Sequence, residues 1–264
     1  MEFRVLGTLE ATVGGVPAAL KAPKQRQLLA AFLVNPNTVV SVDRLSDILW
    51  GDDPPQNAAG TLHTYVSRLR SVLEAPGKDA GKTAVLVTRP PGYVLNVDPD
   101  AVDAVRFEGL MHQAQRHQDD DEPDRALKCL DDALALWRGD AFAEFADEEF
   151  ARTEALRLEE LRRVAVEERI DAHLDLGHHA EVVGQVESAI VDDPLRERPR
   201  GQLMVALYRC GRQADSLLVY ERIRATLAAE LDIEPSPTSQ RLREAILAQD
   251  PALDDGGLPA GRAT

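Results

Sequence analysis

The chain has 264 residues, 44% hydrophobic and 28% charged, a composition that excludes disordered and fibrous classes and allows one large or two ordinary domains. The longest unbroken apolar run, Leu28 to Val34, is seven residues, too short to span a bilayer. The net charge of −15 argues against a nucleic-acid partner only until the chain is divided: residues 1–100 hold ten basic and ten acidic side chains, and the rest carries all the excess acid. No signal-peptide core opens the N-terminus, so a cytoplasmic protein without a membrane partner is expected. Cys129 and Cys210 lie far apart in helical patterns, which suits neither a zinc site nor a disulfide framework.

In chain order, residues 3–7 and 9–13 read as short strands, and Gly14-Gly15 as a hairpin turn. Lys24 to Val34 reads as a helix with Leu28, Leu29, Phe32 and Leu33 inward, stopped by Asn35-Pro36-Asn37. Val39-Val40 allows a very short strand. Ser41 is placed to cap a second helix that buries Leu45, Ile48 and Leu49, and Gly51-Asp52-Asp53-Pro54-Pro55 ends it as a rigid acidic loop. A third helix is expected over about 57–73, because Leu62, Val66, Leu69 and Leu73 recur at spacings of four, three and four. A Pro/Gly loop over 75–82 and strands at 85–87 and 93–97 complete the segment. Strands, three helices and a hairpin in that order are the plan of an α/β winged helix-turn-helix domain of the response-regulator output type.

Strand signals stop at Asp103. Helical stretches are expected near 104–117, 123–137, 147–176, 178–191, 196–209, 212–229 and 237–248, with Trp137 and Phe142 as packing for the long third one. Gly177-x-x-Ala180 and Gly211-x-x-Ala214 echo each other at 34 residues, a period of tetratricopeptide-like helix pairs. The expected division is therefore 1–100 as the winged domain, 101–250 as an all-α tetratricopeptide-like domain, and 251–264 as a flexible tail or linker.

The third helix carries the most pointed chemistry. Around its apolar stripe lie His63, Thr64, Ser67, Arg68, Arg70 and Ser71. Arg68 offers a bidentate fork to guanine O6 and N7 or to a phosphate, Thr64 and His63 sit one turn earlier, and Ser67 can donate to a phosphate. The same pattern also suits an ordinary solvated helix face. Arg89 at the following hairpin suits a sugar-phosphate backbone, with Pro90 and Pro91 stiffening the tip and Gly92 allowing an unusual backbone angle. Lys24 and Arg26 open the first helix, where cations are electrostatically disfavoured unless an anion joins them.

Other constellations are weaker. Gly77 to Thr83 imitates a phosphate-binding loop, but its first glycine is one residue too close to Gly81-Lys82-Thr83 and the flanking elements are in the wrong order. His173, His178 and His179 surround Gly177 and allow a zinc site or, more simply, a surface turn. No catalytic set emerges, and neither a cofactor nor a metal is expected.

The segments Val39 to Pro55, Thr61 to Arg70 and Thr88 to Tyr93 closely resemble the DNA-binding domain of the Streptomyces antibiotic regulatory protein family. Asp103 to Glu108, Ala133 to Gly139, Leu203 to Ala214 and Ala228 to Pro235 resemble its bacterial transcriptional activation domain. The resemblance implies a sequence-specific activator that binds direct repeats in promoters of secondary-metabolite genes and recruits RNA polymerase through sigma or alpha subunits. It implies double-stranded promoter DNA as partner, self-association on the repeats, the third helix in the major groove and the Arg89 hairpin on the flanking backbone. It also implies that Asp52, Asp53, Pro54 and Pro55 occupy the loop where this fold often meets polymerase. Two departures predict weaker binding: Gly60, which softens the recognition helix, and Val94, where many relatives carry a basic residue. A protein-interaction scaffold with weak or lost DNA binding is the alternative.

Overall fold

A computed structural model describes residues 1–74 and 85–254. The expected loop over 75–82, the phosphate-loop imitation Gly77 to Thr83 and the tail beyond Asp254 lie outside the described residues. Two compact units are present: Met1–Met111 with Asp132–Arg163, and His112–Asp131 with the chain from Val164 on. Chain order alone puts a boundary at residue 100, whereas the first unit also takes in the segments 101–111 and 132–163.

The first unit opens with β1 (Glu2–Arg4), β2 (Glu10–Val13) and β3 (Val16–Pro17), an antiparallel sheet in chain order. Gly14 and Gly15 both hold positive φ, 60° and 81°, the conformation that a two-residue hairpin turn requires. The first strand is shorter than the expected 3–7. Val5 and Leu6 donate their N–H groups to the carboxylate of Asp103 at 2.8 and 3.1 Å instead of to a strand.

Next come α1 (Pro23–Leu33), β4 (Val40–Ser41), α2 (Val42–Trp50) and α3 (Ala58–Leu73). The Ser41 hydroxyl accepts from the Arg44 N–H at 3.1 Å, as its place before an apolar run predicts. β5 (Leu86–Arg89) and β6 (Gly92–Leu95) form a hairpin that joins β4 in the order β4-β6-β5. This is the winged helix-turn-helix plan. Its core is Leu28, Leu29 and Phe32 of α1, Leu45 and Leu49 of α2, and the α3 stripe, each no more than 1% exposed.

α4 (Asp103–Asp119), α5 (Pro123–Leu134) and α6 (Glu149–Asp175) each contribute residues to both units. Within the first unit, the start of α4 is anchored by Asp103, which is 1% exposed. Burial pushes its carboxyl pKa up, opposed by N–H donors from Val5, Leu6 and Ala104 and by the Arg138 guanidinium. Trp137 meets Phe107 edge-on at 5.4 Å and carries Arg162 over its ring, and Phe142 is buried, so both aromatics pack as expected.

The second unit adds α7 (His179–Asp192), α8 (Glu197–Arg209), α9 (Gln213–Leu231) and α10 (Pro237–Ala248). α8 packs against α7, α9 and α10, which explains why Leu203 to Leu207 are five consecutive buried residues; a helix apolar around its circumference must be central. Gly177 and Gly211 hold φ of 80° and 75°, the left-handed glycines that let helices end sharply. Ala180 and Ala214 are exposed. The 34-residue echo therefore records two like turns, not two like packing contacts. Residue 251 is the expected start of a tail, yet Leu253 is buried, and its carbonyl accepts from Arg209 Nε at 2.7 Å. Among the described residues no helix is long and apolar enough to cross a membrane.

Candidate nucleic-acid interface

The stripe that builds the winged core also orients α3. Leu62, Val66 and Leu69 are fully buried and Leu73 is 1% exposed. Rotation about the helix then leaves His63, Thr64, Ser67 and Arg68 in solvent. The Thr64 hydroxyl donates to the Gly60 carbonyl at 3.0 Å and keeps its lone pairs for an incoming donor. The Arg68 side chain is exposed and has no hydrogen bond or ion pair to any described residue. A ring stack of Trp50 on Tyr65, 6.2 Å between centroids, ties α2 to α3.

Gly60 takes part in the N-terminal cap of this helix. The Asn57 side chain caps α3 by accepting from the Gly60 N–H at 3.0 Å. A Cβ on Gly60 would stand 2.5 Å from the same carboxamide, so an alanine there requires the Asn57 side chain to shift.

The wing is held from α3. Arg70 Nε donates to the Leu86 carbonyl at 2.6 Å, Nη2 donates to the Thr88 hydroxyl at 2.9 Å, and the guanidinium lies 6.0 Å from the centre of the Tyr93 ring. Arg70 is thus turned to the hairpin, away from the exposed set. Arg89 is exposed at the end of β5 and its side chain has no described partner. Gly92 is not among the residues with positive φ, which corrects the expected unusual angle. A Cβ there would lie 1.9 Å from the Val40 carbonyl oxygen; the glycine permits the close β4–β6 approach. Val94 is 2% exposed, so this position presents no side chain to solvent, and its apolar residue is no deficit of the wing surface.

Lys24 and Arg26 take internal partners. Lys24 Nζ bonds to Gln27 Oε1 at 3.1 Å and to the Leu49 carbonyl. Arg26 grips Glu144 with Nε at 2.7 Å and Nη2, and also donates to the Leu9 carbonyl at 2.6 Å. Arg26 holds the Glu144 carboxyl below its ordinary pKa range, aided by the Leu9 N–H. The sequence gives no sign of this clamp, because Glu144 lies 118 residues away. Conversely, Arg44 on α2 is exposed without a described partner, a cation that periodicity did not single out. Asp52, Asp53, Pro54 and Pro55 are all exposed between α2 and α3.

The histidines form no metal cluster among the described residues. His173 and His178 approach through Nδ1 atoms at 3.2 Å, one ring donating to the other.

With this geometry in place, comparison with known proteins is decisive. Residues 18–95 match the "transcriptional regulatory protein, C terminal" model, and residues 102–247 match the bacterial transcriptional activator domain. The regulatory protein DnrI of Streptomyces peucetius is 36% identical over 265 residues, covering 97% of this chain and 96% of DnrI. The chain belongs to the Streptomyces antibiotic regulatory protein family. The family's regulatory protein AfsR from Streptomyces coelicolor is 40% identical over 96% of this chain. The chain spans only 25% of AfsR's length. A solved structure of Mycobacterium tuberculosis EmbR, in complex with a low-affinity phosphopeptide, superposes with a TM-score of 0.89 at 34% identity, covering 96% of this chain and 68% of that one. Its architecture is that of the family, a winged helix followed by the all-helical bacterial transcriptional activator domain.

Proposed function

We propose that the chain activates transcription by binding direct repeats in promoters of secondary-metabolite genes and recruiting RNA polymerase. The observation that carries this is Arg68: a guanidinium without a described partner, on the exposed face of a helix whose other face is locked into a winged core. A helix so presented fits the major groove, with His63, Thr64 and Ser67 beside the arginine. Arg89 follows the flanking backbone. Copies on direct repeats meet head-to-tail, since repeated sites in one orientation require a heterologous contact. The exposed Asp52 to Pro55 loop faces polymerase, through sigma or alpha subunits, in the cytoplasm where the promoter lies.

Footprinting on the genomic fragment beside the chain's own gene tests this. Two protected tracts in the same orientation are expected. A folded protein that protects nothing there or in a genome-wide selection overturns it. For the polymerase arm, Asp52→Ala with Asp53→Ala should abolish activated transcription while leaving the footprint intact.

A further inference from the structure

We infer that Arg70 is a positioning residue, one that holds the Arg89 wing in register with the recognition helix and does not itself touch DNA; this rests on the DNA-binding function proposed above. Among the described residues, the side-chain hydrogen bonds from α3 to the β5–β6 hairpin both come from Arg70, to the Leu86 carbonyl at 2.6 Å and the Thr88 hydroxyl at 2.9 Å. Thr88 directly precedes Arg89 in β5, and Arg89 pairs with Gly92 across the hairpin. The same guanidinium lies over Tyr93 of β6, so a single planar group touches both strands. Arg68, two residues earlier on α3, has no such partner. The fork geometry matters, because a guanidinium donates two fixed bonds at once whereas an ammonium is a single rotating point charge.

With its Nε and one terminal nitrogen committed to the hairpin, Arg70 acts on DNA through the position of Arg89. Releasing it frees the hairpin to pivot on the β4–β6 pairing, and Arg89 loses its fixed distance from α3.

The test is a double-mutant cycle on the full chain, read as affinity for a labelled random-sequence duplex and for the footprinted operator across a salt series. Arg89→Ala should weaken the random duplex about three- to tenfold and reduce the salt slope by about one unit, as expected for one lost phosphate contact. Arg70→Ala should do the same, and the double variant should be no worse than Arg89→Ala alone. Arg70→Lys should recover only part of the loss. Thr88→Val, which removes one acceptor and keeps the shape, should reproduce part of it, with no further effect in the Arg89→Ala background; this arm needs no Arg70 variant and decides the matter if Arg70→Ala fails to fold by its tryptophan fluorescence. Additive losses, with a slope about two units smaller in the double variant, would make Arg70 a direct contact and overturn the inference. So would an Arg70→Ala protein that binds like the parent. If Arg68→Ala and Arg89→Ala both leave every affinity unchanged, the recognition surface lies elsewhere and this inference falls, whereas a folded parent protein that binds neither duplex overturns the DNA-binding function itself.

Discussion

The carboxamide of Asn57 fills the volume that a β-carbon on Gly60 would occupy, and from there it accepts the Gly60 N–H at 3.0 Å. Cap and glycine are therefore one device, and their substitutions should interact. Asn57→Ala should cost about 1 kcal/mol, the ordinary value of a lost N-cap. Gly60→Ala should destabilise the parent, because it pushes the cap aside. In the Asn57→Ala background the same change should stabilise by about 0.5–1 kcal/mol, since only the helix propensity of alanine remains. Chemical denaturation of the four proteins reads the cycle. An equal effect in both backgrounds would dissolve the coupling.

Gly92 makes a sharper demand. A Cβ would sit 1.9 Å from the Val40 carbonyl oxygen and 2.7 Å from Ser41 Cα, and both neighbours are backbone that cannot rotate away. Gly92→Ala should cost about 3 kcal/mol and open the β4–β6 pairing. Amide hydrogen exchange should then accelerate at Val40 and Tyr93 while α8 stays protected. A variant with parental melting temperature and exchange would show that the strands can separate without penalty.

These two glycines mark what the sequence could and could not carry. The period of Leu62, Val66, Leu69 and Leu73 and the placement of Ser41 are local signals, and all appear where spacing puts them. Among the described residues, the seven α-helices from Asp103 on are equally legible, α8 as a continuous apolar run and the others by their apolar faces. Glycine composition is local too, but its cause is not. At position 60 it serves a side chain three residues back; at position 92 it serves a strand some fifty residues away. The same limit hid the partners of Arg26, Arg70 and Asp103, whose carbonyls and carboxylates come together only after folding. A cation in a sequence looks available for phosphate until its internal acceptor is known. Arg68 and Arg89 kept that availability, and Arg26, Lys24 and Arg70 did not.

Acid should weaken the second unit through His173. Burial, then the neighbouring His178 and Arg169, hold its pKa below the ordinary histidine range, against smaller opposing effects of Asp131 and Glu181. The unfolded chain therefore takes up this proton first as pH falls. Stability is insensitive to the group above the ordinary histidine value of 6.5, and declines as pH drops from there through the depressed folded value. His173→Gln removes the titration, so its melting temperature should fall less steeply than the parent's between pH 7.5 and 5.5. Parallel curves would assign the acid sensitivity to other groups, His179 first, since burial lowers it in the same direction.

Arg26 and Arg68 should separate stability from recognition. Arg26 is bonded to Glu144 and to the Leu9 carbonyl, all within the first unit, so Arg26→Ala should cost about 1–2 kcal/mol after allowance for partial exposure. The DNA salt slope of this variant should match the parent's. Glu144→Gln should lose part of the same stability. Because Arg26 lowers the Glu144 pKa, the missing contribution is one present above the unfolded carboxyl value and lost as pH falls through the folded one. Arg68→Ala should behave oppositely. Its guanidinium is exposed and without a described partner, so melting should shift by less than about 0.5 kcal/mol, while operator affinity drops by about 1–3 kcal/mol more than random-duplex affinity if it reads a guanine. Calorimetry and a salt series on both duplexes place each variant. A salt slope about one unit smaller for Arg26→Ala would mean that Arg26 leaves Glu144 for a phosphate when DNA arrives. Equal losses for Arg68→Ala on both duplexes would make it a backbone contact and pass specificity to His63 and Thr64, the next exposed side chains one turn earlier on α3.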